Sequence, residues 1–141
     1  MDNILIPVVE DEYDKPFVSF NASTGKCEIS GESFPEKTAE FYGRLMEWIE
    51  QYIKEVKGPI DFDFSLSYFN TSSSKRILHI MILLQEYTEK GGDVTAQWNY
   101  DPEDLDLEED IEDLKIISKL DLKMNPIGGE TRFKKMSDED N

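Results

Sequence analysis

Polar and apolar residues alternate strictly in residues 60–68, and the same alternation recurs in residues 94–100 and 120–124. A period of two is typical of β-strands that bury one face. Between the first two of these segments, apolar residues recur every three or four positions, which predicts a helix over residues 72–90. Strands that alternate with helices indicate βαβ units with right-handed crossovers. The strand at 60–68 is predicted to turn these residues toward the core: Ile60, Phe62, Phe64, Leu66 and Tyr68.

The N-terminal part of the chain predicts a hairpin ahead of these units. Residues 4–9 read as a short strand, and strands at 17–20 and 26–29 flank a turn in which Gly25 takes the left-handed position. We therefore expect an α/β protein with a mixed β-sheet. Its N-terminal hairpin is antiparallel, βαβ units follow, and the helices lie mainly on one face.

Two more helices are predicted from their start signals. Ser33 and Glu36 form a capping box, which should begin a helix that runs to Gly58. Residues 101–113 carry nine acids and no base, and they precede a short predicted helix at 111–119. This segment is expected to be a solvated acidic helix start, with a contact surface for a basic partner as the alternative.

Composition limits the possible partners and the cellular compartment. The net charge of the 141 residues is −16, which disfavours nucleic acid and anionic membranes, because both are bound by clustered Lys and Arg. One cysteine, no secretion signal and no apolar run of about 20 residues predict a cytoplasmic protein. Residues 1–127 are predicted to form one domain, and residues 128–141 a flexible C-terminal tail.

The start of the helix at 72–90 breaks two local rules. Asn70, Thr71, Ser72 and Ser73 could each cap it, and Ser74 follows, although a helix needs one cap. Lys75 and Arg76 then lie near the positive end of the helix dipole, and no acid occurs between Asp63 and Glu86. Three interpretations remain open: a redundant cap, a docking site for a small anion, or a site of covalent phosphorylation.

Catalysis and metal binding find little support in the sequence. The single histidine, His79, lies two turns from Thr71 on the outer face of the helix, so no nucleophile–base pair is apparent. On that face Ile82 is either ordinary scatter or part of a contact surface. Cys27 has no cationic neighbour except Lys26 and is predicted to be inert. The acidic segment does not fit a calcium-binding loop, so no cofactor, metal or catalytic residue is expected.

Three motifs stand out along the chain: "GESFPE" at 31–36, "FDFSLSYFNTSSSKRIL" at 62–78 and "EYTEKGGDVTAQWNYD" at 86–101, followed by the acidic segment. Together they resemble the motifs of the SiaC family of regulatory phosphoproteins. The resemblance covers about residues 4–126. It implies a fold similar to that of STAS-type anti-sigma factor antagonists, although the turn 70–73 lacks the Asp and Gly of their phosphorylated D-S-S-G motif.

The resemblance also implies a function. Thr71 matches the family's phosphoacceptor, with Ser72 and Ser73 as neighbours that could accept instead. The residues expected to stabilise a phosphate or contact a partner are Asn70, Ser74, Lys75, Arg76, His79 and Ile82. The implied partners are a serine/threonine kinase of the histidine-kinase-like ATPase type, a PP2C-like phosphatase, and a diguanylate cyclase that binds the unphosphorylated form and is activated by it, with biofilm formation as the readout. The alternative function is the binding of a small anion, such as phosphate or a nucleotide, at residues 71–76.

Overall fold

A computed structural model describes residues 1–127 of the chain. The strands are β1 (Ile4–Ile6), β2 (Phe17–Phe20), β3 (Lys26–Ser33), β4 (Ile60–Phe69), β5 (Val94–Tyr100) and β6 (Leu122–Pro126). The helices are α1 (Thr38–Gln51), α2 (Thr71–Glu89) and α3 (Leu105–Ser118), and a π-helical turn at Tyr52–Val56 continues α1. The tail predicted at 128–141 lies outside the described residues.

The six strands form one sheet in the order of the sequence. β1, β2 and β3 pair antiparallel, whereas β3 to β6 pair parallel and are joined by α1, α2 and α3 in turn. Right-handed crossovers that always step in the same direction place the helices on one face of the sheet. The predicted mixed α/β sheet, with its N-terminal hairpin and βαβ units, is confirmed.

The core lies between the sheet and the helices. Phe62, Phe64 and Trp98 stack across β4 and β5, with ring centroids 4.5 Å and 4.9 Å apart. The opposite face of the sheet is polar: the Asn99 amide donates to Asp63 at 2.7 Å and to Ser65 at 2.9 Å. The alternation in the sequence therefore separates a face packed on helices from a face that carries polar side chains.

The predicted start of the first helix is wrong. Ser33 is the last residue of β3, where it pairs with Phe69 of β4, and α1 begins only at Thr38 without a side-chain cap. The parallel pairing extends β3 beyond the predicted 26–29, so the local capping signal at Ser33 is overridden by tertiary structure. The end of this helical segment agrees better with the sequence, since Lys57 is left-handed and directly precedes Gly58.

Other boundaries also differ from the sequence prediction. β1 ends at Ile6, just before Pro7, so it is shorter than the predicted 4–9. α3 begins at Leu105 rather than at 111, because the Asp104 carboxylate caps it by accepting from the Leu107 N–H at 3.1 Å. β6 starts two residues after the predicted 120, and the predicted limits of α2 are correct to within one residue.

A β-bulge near the end of β4 redirects one aromatic side chain. Gly31 pairs with Leu66 and Glu32 pairs with Tyr68, so Ser67 is an extra residue in β4. One extra residue reverses the alternation between the two faces. Phe69 consequently packs on Trp98 in the core, at 5.5 Å, whereas Tyr68 is 45% exposed. The prediction that Tyr68 faces inward is wrong for this reason.

Candidate functional site

The hydroxyl turn (residues 70–74) connects β4 to α2 at the edge where the parallel strands end. Asn70 is the N-cap in an extended conformation, and its side-chain oxygen accepts from the Ser73 N–H at 2.9 Å. The Asn70 N–H donates to the backbone oxygen of Ser33 at 3.1 Å, which ties the turn to the end of β3. One residue therefore supplies the cap, and the hydroxyls that follow are not needed for it.

The hydroxyls of this turn have different environments. Thr71 and Ser72 are exposed, Ser74 is partly buried, and Ser73 is fully buried. The Ser33 hydroxyl donates to Ser73 at 2.9 Å and also hydrogen-bonds Tyr42 of α1 at 2.5 Å. Of the three hydroxyls predicted as possible phosphate acceptors, those of Thr71 and Ser72 can thus be reached by another protein. The Ser73 hydroxyl is buried and hydrogen-bonded inside the fold.

The buried hydroxyl cluster of Ser33, Tyr42 and Ser73 links three elements. Burial raises the pKa of Tyr42 to about 12, although its hydrogen bonds with Ser33 and Ser73 act in the opposite direction. Tyr42 therefore stays protonated at neutral pH and remains available as a donor to Ser33. The cluster fixes the first turn of α2 against β3 and α1.

Two cations, Lys75 and Arg76, directly follow the hydroxyl turn. Lys75 follows Thr71 by four residues and Arg76 follows Ser72 by four, so each pair shares a face of α2. The two ion pairs found within residues 1–127 are Lys15–Glu12 and Lys37–Glu40, and neither uses Lys75 or Arg76. Both cations are thus free of ion pairs in the described part of the chain.

Two grooves meet at this helix start. The groove between α1 and α2 has a volume of about 610 Å³. It is lined by Ser72, Lys75 and Arg76 from α2 and, at the start of α1, by Glu36, Lys37, Thr38, Ala39 and Glu40. The groove between α2 and α3, of about 350 Å³, is lined by Thr71, Ser74, Lys75 and Leu78 from α2 and by Asp110, Asp113, Leu114 and Ile117 from α3. Ser72 therefore lies in a groove with three cations and two carboxylates, whereas Thr71 lies opposite the carboxylates of Asp110 and Asp113.

Two predicted contact residues lie apart from this site. His79 is exposed and Ile82 is partly buried, and neither lines the grooves at the start of α2. Asp110 and Asp113 belong to the acidic segment 101–113, but their position near Thr71 was not predicted, because only the packing of α3 against α2 brings them there. The outward position of Tyr68 was not predicted either. The adjacent aromatics Tyr68 and Phe69 were the available signal, since they interrupt the alternation.

The rest of the described chain shows no assembled reactive site. Among residues 1–127, no three His, Cys, Asp or Glu side chains are grouped so that they could hold a metal ion. Burial raises the pKa of the Cys27 thiol, and the nearby Asp61 adds to the effect, so this cysteine stays protonated. None of the helices within residues 1–127 has the length and apolar character needed to cross a membrane.

These features define a small α/β protein with an exposed, cation-flanked hydroxyl where a strand passes into a helix. A sequence profile of the SiaC family regulatory phosphoproteins matches residues 9–127. The chain belongs to this family. A curated protein of Pseudomonas aeruginosa (strain UCBPP-PA14), described as uncharacterized, is 33% identical over 86 residues, which span 61% of this chain and 68% of that protein.

Solved structures show the same fold. Apo-SiaC from Pseudomonas aeruginosa superimposes with a TM-score of 0.80 at 26% identity, over 89% of this chain and 99% of that one. A second structure of SiaC from the same organism gives 0.75 at 28% identity, over 92% and 100% of the two chains. A chain in the crystal structure of the diguanylate cyclase SiaD in complex with its activator SiaC gives 0.81 at 26% identity, over 88% and 99%.

Proposed function

We propose that this protein is a phosphorylation-controlled interaction switch with Thr71 as its phosphoacceptor. The unphosphorylated form binds and activates a diguanylate cyclase, a serine/threonine kinase of the histidine-kinase-like ATPase type adds the phosphate, and a PP2C-like phosphatase removes it. The observation that carries the proposal is the exposed Thr71 hydroxyl at the start of α2. The SiaD–SiaC complex supports the choice of partner, because it contains a relative of this chain bound to a cyclase.

The fold can accept a phosphate at this position. A phosphate on Thr71 would lie at the positive end of the α2 dipole and four residues before Lys75. These contacts should favour it by about 1–2 kcal/mol, against which Asp110 and Asp113 act across the groove. The modified chain should therefore stay folded, and the added charge would mainly change the surface that it presents.

The effect on a docked partner is much larger. A partner that packs on the hydroxyl turn would have to desolvate a dianion, at a cost of several kcal/mol unless it is paired. Since about 1.4 kcal/mol corresponds to a tenfold change in affinity, a single phosphate suffices to release the partner. The carboxylates of Asp110 and Asp113 add to the negative charge that the partner would meet.

Intact-mass measurement after incubation with ATP and the kinase tests the choice of acceptor. The unsubstituted chain should gain about 80 Da, one phosphoryl group. Thr71→Ala should abolish the gain, whereas Ser72→Ala, at a neighbouring position that is also exposed, should retain it. A gain that persists in Thr71→Ala and disappears in Ser72→Ala would reject Thr71 as the acceptor.

The cations of the α1–α2 groove favour a second candidate, the reversible binding of a small anion. Lys75 and Arg76, which form no ion pair within residues 1–127, line this groove together with Ser72. Lys37 also lines it but is paired with Glu40. Thermal stabilisation by inorganic phosphate, without any change in mass on incubation with kinase and ATP, would favour this function over the switch.

A further inference from the structure

Two aromatic side chains are exposed beside the hydroxyl turn. Phe34 directly follows β3, and Tyr68 lies near the end of β4. Their ring centroids are 5.8 Å apart with the planes tilted by 58°, and the residues are 39% and 45% exposed. Tyr68 takes this position because of the bulge at Ser67, and bulges often redirect side chains next to functional sites. We refer to Phe34 and Tyr68 as the aromatic pair.

An acidic side chain lies next to the aromatic pair. Glu32 is exposed and stands opposite Tyr68 in the strand register. Within residues 1–127 Glu32 takes part in no ion pair. Lys15 lines a pocket together with Glu32, but its ammonium group is paired with Glu12 at 3.5 Å. An aromatic face next to a free carboxylate suits a guanidinium group, which can stack on the ring while it pairs with the acid.

We propose that the output partner docks on the aromatic pair and presents an arginine to Tyr68 and Glu32. This inference rests on the proposed function, because the same partner would then also cover Thr71, three residues after Tyr68. Aromatic side chains at the centre of an interface commonly carry a large share of the binding energy. The phosphate would thus act on an interface that the aromatic pair holds in place.

The charge of the chain argues against a second copy as the occupant. The chain has a net charge of −16, and Glu32 stands opposite Tyr68. Two copies that met through the aromatic pair would bring two strongly acidic chains and their Glu32 side chains together, which is unfavourable. A basic segment of another protein fits both the rings and Glu32.

Calorimetric titration of the full chain with the full-length diguanylate cyclase of the proposed switch tests the inference. Tyr68→Ala and Phe34→Ala should each weaken binding about tenfold. Tyr68→Phe should bind like the unsubstituted chain, since the ring and not the hydroxyl makes the contact. Glu32→Lys, at an exposed position, should also weaken binding, and its effect should shrink at high salt.

The matched control is Ile116→Ala, which truncates a side chain that is 73% exposed on α3. It should leave the affinity unchanged, and thermal unfolding would show that all variants remain folded. If Tyr68→Ala and Glu32→Lys bind like the unsubstituted chain while phosphorylation of Thr71 still releases the cyclase, the docking surface is wrong and the proposed function stands. If the unsubstituted chain fails to bind the cyclase, both are overturned. A dimer that Tyr68→Ala converts to monomer would assign the aromatic pair to self-association instead.

Discussion

Ser72 and Ser73 are neighbours with opposite roles in the structure. Ser72 is exposed in the α1–α2 groove, whereas Ser73 is fully buried and accepts a hydrogen bond from Ser33. The buried hydroxyl holds the first turn of α2 in place, and the exposed ones, Thr71 included, are free for modification. A rigid turn of this kind would present Thr71 in one geometry to the proposed kinase, phosphatase and output partner.

Replacement of these serines by alanine should separate the two roles. Ser73→Ala removes the acceptor for Ser33 and should lower the free energy of unfolding by about 1 kcal/mol. Ser72→Ala removes an exposed hydroxyl and should change it by less than about 0.5 kcal/mol. Urea unfolding of both variants measures the difference. Equal effects would mean that the Ser33–Ser73 hydrogen bond contributes no stability.

At the level of single residues, the sequence predicted part of the candidate site. The surplus of capping residues and the position of Lys75 and Arg76 pointed to the start of α2, and the structure places them there. The sequence could not distinguish Ser73 from Thr71, because the burial of Ser73 depends on Ser33 and Tyr42, which come from other elements. Local spacing carries no information about such partners. The assignment of Thr71 as phosphoacceptor stays a prediction.

Hydrophobic periodicity predicts which helices and strands form more accurately than it predicts where they begin and end. β2 and β5 have the predicted limits, and α2 differs by one residue at each end. The wrong predictions have causes elsewhere in the fold. Pairing of β3 with β4 makes Ser33 part of a strand, and the bulge at Ser67 turns the Tyr68 side chain to the other face of the sheet. The pairing of β3 with β4 is not visible in a window of local sequence, and the only local sign of the bulge is that Tyr68 and Phe69 are adjacent.

The hairpin between β2 and β3 depends on one glycine. Gly25 has a φ of +78°, and a Cβ at this position would overlap the backbone oxygen of Pro59. Gly25→Ala should therefore cost about 2–5 kcal/mol, through the left-handed conformation and the overlap together. Gly31 is the matched control, because its φ is +97° but a Cβ there would meet no atom within 4 Å.

Gly31→Ala should cost about 1–2 kcal/mol, from backbone conformation alone. Thermal or urea unfolding of the two variants measures the contribution of the contact with Pro59. If Gly25→Ala proves no more destabilising than Gly31→Ala, the close packing of this turn against the chain before β4 is incorrect.

The topology of the whole molecule brings the features of the candidate site together at one edge. β3, β4 and β5 are parallel, so the loops that follow them emerge together. In the aromatic pair, Phe34 follows β3 and Tyr68 lies near the end of β4. The hydroxyl turn leads into α2, and the acidic helix α3 follows β5. The sequence predicted this parallel arrangement. It did not predict that Asp110 and Asp113 face Thr71, because helix packing and not sequence distance joins them.

The central claim is that one phosphate on Thr71 releases the output partner. The most direct test is to compare the affinity of the diguanylate cyclase for the unmodified chain and for the chain phosphorylated completely on Thr71, at the same salt concentration. We expect the phosphorylated chain to bind at least about tenfold more weakly and to leave the cyclase inactive. Equal or tighter binding of the phosphorylated chain would contradict the account.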